Sequence, residues 1–392
     1  MLEHLPLIVF LVTFVLIFAL RMPIPAGMIA ACTLYFLTDG LIKGVGFGAL
    51  ITGAGGSLHL VAQKTIEAIF TNGTIVAVPL FIFAANVMNA GKITEYVFGT
   101  CMGLVGRFRG GLAHVNVLAS LVFSGMTGSA IADASGLGKL EIDAMRKEGY
   151  DDGFSCAITA ASATIGPIFP PSIPMVVYAI CAGESVGALF AGGIIPGLIY
   201  AACLMVVSGL ICKKKGFGAE SKTKYDGHET WEAFKDAIWA LLVPVIVLGG
   251  IYSGKFSPTE AAAVATAYAL VIGLFVYHEL DLKGIWEAFV NAAKSTGQIL
   301  IIVALASLFS WVITVAQIPQ TVSAMLQDNI HSKVAMLMVI NIILLIAGTF
   351  IDTTSAIVIF APLFIPICKA MNVDLVHFGM IMTVNLTIGM CT

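Results

Sequence analysis

Residues 121–138 read LVFSGMTGSAIADASGLG, and residues 157–178 read AITAASATIGPIFPPSIPMVVY. Both runs are apolar at their ends. Yet between Leu121 and Tyr178 they hold Gly125, Gly128, Ser129, Asp133, Ser162, Thr164, Gly166 and the pair Pro170-Pro171. A bilayer interior gives unsatisfied backbone no water, so irregular polar segments persist there only where they line a cavity or are covered by protein. Interrupted segments of this kind are where secondary transporters hold ions and substrate. The rest of the chain is read as scaffold for this stretch and for a second copy of it.

The 392 residues are 59 % hydrophobic and 11 % charged, with a mean hydropathy of +0.98. A soluble core needs far less apolar sequence, so the chain is an all-α polytopic membrane protein embedded in a lipid bilayer. A net charge of −3 gives no reason to expect nucleic acid as a partner. The eight cysteines stand singly without a CxxC, and the seven histidines form no HExxH. Neither a zinc site nor a disulfide framework is implied. The first apolar run lacks a basic leading region and a small-residue cleavage site, so it reads as a retained span.

Spans are expected at 5–20, 24–40, 74–90, 187–212, 237–253, 259–279 and 296–316. Interfacial helices are expected at 57–71, 92–106 and 284–295, and an amphipathic piece at 319–332. Between Arg109 and Lys139 each apolar half has about 14 residues, short of the roughly 20 that cross a bilayer. Basic residues flank both ends and favour the cytoplasm. The simplest path over 110–139 is a re-entrant hairpin with its tip at Gly125–Ser129. Residues 153–183 cross once and break at GPIFPPSIP, where prolines end the helical hydrogen bonding. Residues 334–368 read as a second hairpin, tip at GTFIDTTS, entering from outside. This topology leaves fifteen of the 20 Lys and Arg inside and five outside (Lys43, Lys64, Lys255, Lys333 and Lys369), the bias the positive-inside rule asks for.

The two hairpins are copies of opposite sense. Gly125 and Gly348 are 223 residues apart, as are Gly166 and Gly389. At the same offset Ser129 meets Asp352, Ser162 meets Asn385, and Thr164 meets Thr387. The organisation is a first inverted repeat over 1–215, a cytoplasmic linker over 216–236 and a second repeat over 237–392. The counterparts of Pro170-Pro171 would fall at 393–394, so the native sequence is expected to continue past Thr392, and a chain ending there is expected to lack part of its second broken helix.

Ionisable residues at membrane depth are costly and usually functional. Asp133 and Asp352 therefore read as anchors of a cation site, or as neutral, hydrogen-bonded structural groups. The Ser, Thr and Asn residues near each break read as oxygen ligands, or as small residues that let helices pack closely. Both readings stand at this point. The prolines at 167, 170, 171 and 174 exceed what a kink needs and indicate an unwound segment.

In four motifs the chain resembles the large membrane subunit of the tripartite ATP-independent periplasmic (TRAP) transporters, the DctM-like family. They are VPLFIFAANVMNAG (78–91), GRFRGGLAHVNVLASLVFSGMTGSAIADASGLG (106–138), GPIFPPSIPMVVYA (166–179) and GTFIDTTSAIVIFAPLFIPI (348–367). The resemblance implies a non-enzymatic, sodium-coupled importer of an organic acid, such as a C4-dicarboxylate or sialic acid, in a bacterial or archaeal cytoplasmic membrane. An extracytoplasmic binding protein would deliver the acid, a small TRAP membrane subunit would brace the large one, and transport would be an elevator movement. Sodium would be the only metal, with no other cofactor. Carried over, the sodium sites fall at Ser124, Gly125, Thr127, Gly128 and Ser129 with Ser162, Thr164 and Gly166, and at Gly348, Thr349, Asp352 and Thr353 with Asn385, Thr387 and Gly389. Asp133, Pro170, Pro171, Ser172 and Thr354 are expected beside the substrate or at a tip. The nearest rival is a single-component sodium/anion carrier of the same superfamily. An intramembrane protease would need catalytic pairs that the sequence does not set in continuous spans, and a passive channel would not need two opposed hairpins.

Overall fold

A computed structural model describes residues 5–19, 22–44, 57–70, 73–108, 110–218, 227–318 and 332–391. The expected piece at 319–332 falls almost wholly outside them. The described residues form helices joined by short turns, with no strand among them. Among the described residues, seven helices are long and apolar enough to cross a membrane. Their outward faces carry large aliphatic side chains. On the long helix Val186–Lys215, Ile195, Ile199, Val206 and Leu210 are all more than half exposed, which suits lipid and not water.

The scaffold elements come first. Helices α1 (Leu5–Ala19) and α2 (Ile24–Ile42) pack together; α3 (Ser57–Phe70) and α4 (Ala77–Ala90) follow, α4 entered through a 3₁₀ turn at Gly73–Val76. Helix α5 (Ile93–Val105), expected at the interface, packs its inner face between the helices Gly111–Thr127 and Gly227–Tyr252. Thr100 Oγ holds it there by donating to the Ala233 carbonyl at 3.0 Å.

The first hairpin is α6 (Gly111–Thr127) and α7 (Ala130–Gly136), continued almost without a break into α8 (Gly138–Lys147). The first broken helix is α9 (Asp152–Ala163) and α10 (Ile173–Ala182), with turns between. Each re-start has a local cause. Ser129, Asp151 and Ser172 sit in extended backbone, and each accepts from the N–H three residues on, capping α7, α9 and α10. Beyond the membrane, Arg146 hydrogen-bonds Asp152 at 2.8 Å across the α8–α9 turn and holds its carboxyl below the usual aspartate range. Both side chains are more than half exposed, so water screens the pair and it adds little to stability.

Helix α11 (Val186–Lys215) ends on the three lysines expected to anchor it inside. Helix α12 (Gly227–Tyr252) begins within the stretch read as the linker. Helix α13 (Pro258–Val271) opens on a complete capping box of Ser257 and Glu260 and runs into a π turn to Val276. The interfacial segment and span expected at 284–295 and 296–316 are instead one helix, α14 (Leu282–Val315). Lys294, Ser295 and Gly297 stand at the expected boundary. None removes a backbone donor as proline would, so the helix runs through them.

The second hairpin is α15 (Lys333–Gly348) and α16 (Thr353–Ala370), followed by α17 (Leu375–Gly389). Neither hairpin arm pair forms a single uninterrupted helix across the expected tip. The copies interlock: α10 packs on α16 and α17, and α11 on α17. Tyr178, fully buried, donates to the Leu375 carbonyl at 2.7 Å and stitches the first broken helix to the start of the second.

Candidate functional site

The hairpin tips are built alike. In the first, Gly128 has φ +63°, a left-handed conformation that suits glycine. A side chain there would lie 2.4 Å from the Pro171 carbonyl. The Gly128 carbonyl accepts from the Ile173 N–H at 3.2 Å, which ties the tip to the re-start of the broken helix. Ser129 then caps α7. In the second, Asp352 caps α16, accepting from the Ser355 N–H at 3.0 Å and from the Ser355 hydroxyl at 2.5 Å. The two caps occupy the paired positions, 223 residues apart.

Each tip lies against the break of its own repeat. Gly166 meets the Ser129 backbone, where a Cβ would sit 3.2 Å away; Gly389 meets Gly348, where it would sit 2.9 Å away. Each first arm is also hydrogen-bonded to its broken helix. Asn116 donates to Thr159 at 2.7 Å and accepts from Ser162 at 2.6 Å. Asn385 donates to the Asn341 side chain at 2.6 Å and to its carbonyl at 2.8 Å. The breaks meet each other where the Cys391 thiol faces Thr164 at 3.7 Å, and Thr164 also bonds Tyr200 at 3.0 Å.

Between the tips lies one cavity of about 360 Å³. Thr127, Gly128 and Ser129 reach it from the first hairpin, Asp352, Thr353 and Thr354 from the second, and Pro167 and Pro174 from the first broken helix. Thr353 Oγ also lies 3.3 Å from Thr387 Oγ. The other expected residues stand back from the cavity. Gly125 packs against Pro244 of α12. Ser124 and Thr349 donate back to helix carbonyls at 2.6 and 2.7 Å. Ser172 donates to the Pro167 carbonyl, bracing the unwound segment that holds Pro170 and Pro171. Asp133 is fully buried outside the cavity lining.

Sequence reading missed the opposite wall. Asn86 and Asn89 of α4, with Ser295 and Gln298 of α14, face the tips across the cavity. The available signal was spacing: each pair is three residues apart, on one helical face. Among the described residues that line it, the cavity has no Lys, Arg or His. A second, more open recess of about 290 Å³ adjoins it and shares Asn89 and Ser135. Among the described residues no three of His, Cys, Asp or Glu converge as a metal cluster.

Two hairpins whose tips line one cavity, beside half-helices joined by an unwound proline-rich segment, have the form of a secondary transporter. The sequence from residue 11 to 392 matches the DctM component of the tripartite ATP-independent periplasmic transporters, and the chain belongs to that family. It is 42 % identical over 335 residues to the sialic acid TRAP transporter large permease protein SiaM of Vibrio cholerae, covering 86 % of this chain and 78 % of that one. It is 39 % identical to the C4-dicarboxylate TRAP transporter large permease protein DctM of Pseudomonas aeruginosa (81 % and 74 % covered). It is 41 % identical to the isethionate TRAP transporter permease protein DctMQ of Oleidesulfovibrio alaskensis, where the match covers 89 % of this chain and 55 % of the longer protein. Among solved structures, the YdaH transporter of Alcanivorax borkumensis superimposes with a TM-score of 0.58 at 15 % identity, over 84 % and 76 % of the two chains. That likeness concerns the fold. The protein is thus a multi-pass membrane transport protein of the TRAP large-permease type.

Proposed function

We propose that the chain carries an organic acid through the cavity between the tips, driven by sodium bound at the two tip–break junctions. The observation behind this reading is that Ser129 and Asp352, paired by the repeat, line one and the same cavity. At each junction backbone carbonyls and hydroxyls lie close together without a fixed cation, a donor set that suits a small hard cation. The first site would draw on Ser124, Thr127, Gly128, Ser129, Ser162, Thr164 and Gly166. The second would draw on Gly348, Thr349, Asp352, Thr353, Asn385, Thr387 and Gly389. Gly125 contributes through packing.

The substrate reading follows from chemistry. With no basic side chain in the wall, a carboxylate would be met by hydroxyls, the Ser172-capped start of α10 and the bound sodium ions. The amides Asn86, Asn89 and Gln298 offer hydrogen bonds to its polar remainder. Relatives named for sialic acid, a C4-dicarboxylate and isethionate are compatible with such a site. A small membrane subunit and an extracytoplasmic binding protein are the proposed partners, and the hairpin-bearing half is proposed to move against α4 and α14 as an elevator. The recess beyond Asn89 and Ser135 would be the inner release route. The test is uptake into proteoliposomes by the complete transporter under an imposed sodium gradient, with and without its binding protein. Uptake that needs sodium and the binding protein supports the reading. Uptake needing sodium alone would favour a single-component carrier, and uptake indifferent to sodium would overturn it.

A further inference from the structure

Two residues are common to the walls of the cavity between the tips and of the recess beside it: Asn89, in the last turn of α4, and Ser135 of α7. Their side chains are held differently. Ser135 Oγ donates back to the Ala132 carbonyl at 3.3 Å, a common resting place for a helical serine. One turn before Asn89, the Asn86 amide donates in the same way to the Ile82 carbonyl at 2.8 Å. Asn89 Oδ1, by contrast, is buried and has no hydrogen-bond partner among the described residues.

The Asn89 amide rests on Gly136, the last residue of α7, which lines the recess and not the cavity. A Cβ at Gly136 would have three atoms of that amide as its nearest neighbours: Oδ1 at 2.9 Å, Nδ2 at 3.1 Å and Cγ at 3.3 Å. The backbone does not require glycine there. Gly136 is helical and is not among the glycines with positive φ. The position 223 residues on is Ile359, inside α16, so a hairpin of this pattern forms with a large side chain at that place. What the glycine supplies is space, a seat on which an amide from α4 closes against α7. The seat offers Oδ1 no donor, and a buried acceptor left unpaired is costly. On the cavity side the Ser295 hydroxyl and the Gln298 amide of α14 belong to the same wall as Asn89, and both groups carry donors. The amide therefore gains by turning off its seat toward the cavity.

We propose that Asn89 is the gate residue between the substrate cavity and the recess, closed when seated on Gly136 and open when turned toward the donors of the cavity wall. The proposal rests on the reading of the recess as the release route. The seat exists in one repeat only, so the gate serves one end of the cavity.

The test uses the complete transporter in proteoliposomes, its eight native cysteines replaced, with neither a sodium gradient nor substrate. A charged, membrane-impermeant thiol reagent is applied from each face in turn. Loss of sodium coupling leaves this readout intact, so failure of the transport reading and failure of the gate are told apart. Glu95→Cys, on the recess wall alone, reports the face to which the recess opens; Ala130→Cys, on the cavity wall alone, reports passage beyond the gate. From the face at which Glu95→Cys reacts, Asn89→Ala should raise the rate at Ala130→Cys about tenfold and leave Glu95→Cys as it was. Gly136→Ala displaces only the end of a flexible side chain, so it should fold, and it should raise the rate at Ala130→Cys as well. Added to Asn89→Ala it should raise nothing further, because no amide remains to be displaced. A rate at Ala130→Cys unmoved by Asn89→Ala overturns the proposal. So do effects of the two variants that multiply, and so does an equal rise at Glu95→Cys, which would mean that the whole hairpin had loosened.

Discussion

The two hairpins share a pattern but not an environment. In the first, nearly every residue of α6 is buried, held by α5, α9, α11 and α12. In the second, α15 buries only Met336, Ile340, Leu344 and Gly348, and packs chiefly on α17. One tip is pinned by the Ile173 to Gly128 hydrogen bond; the other is held by its cap at Asp352, by Thr353 against Thr387 and by the Gly348–Gly389 crossing. The same 223-residue offset therefore yields one hairpin whose first arm, α6, is the buried one and another whose second arm, α16, is. Local openings draw on elements with few buried contacts, and in the second hairpin that element is α15.

The largest effect is expected where the pinned tip is broken. Gly128→Val places a branched side chain in left-handed backbone and against the Pro171 carbonyl. The backbone cost alone is about 1–3 kcal/mol, and the overlap adds to it. Uptake should vanish and the thermal midpoint should fall; a stable, active variant would mean the tip is not fixed as described. Next come the two close glycine crossings. Gly389→Ala meets backbone at 2.9 Å and Gly166→Ala at 3.2 Å, so the former should destabilise more, within about 1–3 kcal/mol for overpacking. The reverse order in thermal unfolding would show that the second crossing gives way easily.

A smaller difference separates the two asparagine ties. Asn116 is fully buried and serves Thr159 and Ser162, so Asn116→Ala should cost about 1–3 kcal/mol by stranding buried partners. Asn341 is half-buried, and Asn341→Ala should cost less; hydrogen exchange along α9 and α17 would report each loss where it occurs. The smallest stability effect belongs to Asp352→Asn. Asparagine caps as well as aspartate, so the midpoint should hardly move, while half-saturation by sodium should rise about tenfold, or ~1.4 kcal/mol of cation binding. An unchanged sodium response would remove Asp352 from the second cation site.

These contrasts also mark what was legible in the sequence. Both tips could be read because Gly, Ser, Thr and Asp stand out in apolar runs, and because their spacing recurs. The caps at Ser129, Ser172 and Asp352 lay within the motifs quoted from those runs. The far wall was hidden for the opposite reason. Asn86, Asn89, Ser295 and Gln298 are isolated polar residues on helices that cross without interruption, and a helix carrying two of them looks like any packed span. The unity of α14 was missed because polarity was taken for a boundary, although no residue in it breaks hydrogen bonding. Asp133 stands out in the sequence as a membrane carboxylate, but its burial away from the cavity comes from packing that the sequence does not display.

The central claim is that one substrate site is shared by tips from both repeats. Single cysteines at Ala130 and at Thr354, each in a version of the protein with its eight native cysteines replaced, line that cavity from the two hairpins. The measurement is their rate of reaction with a small thiol reagent in proteoliposomes, with and without substrate and sodium together. Substrate with sodium should slow modification at both positions, at the same half-saturating concentration. Protection of one cysteine alone, or protection of the two at different concentrations, would contradict the shared site.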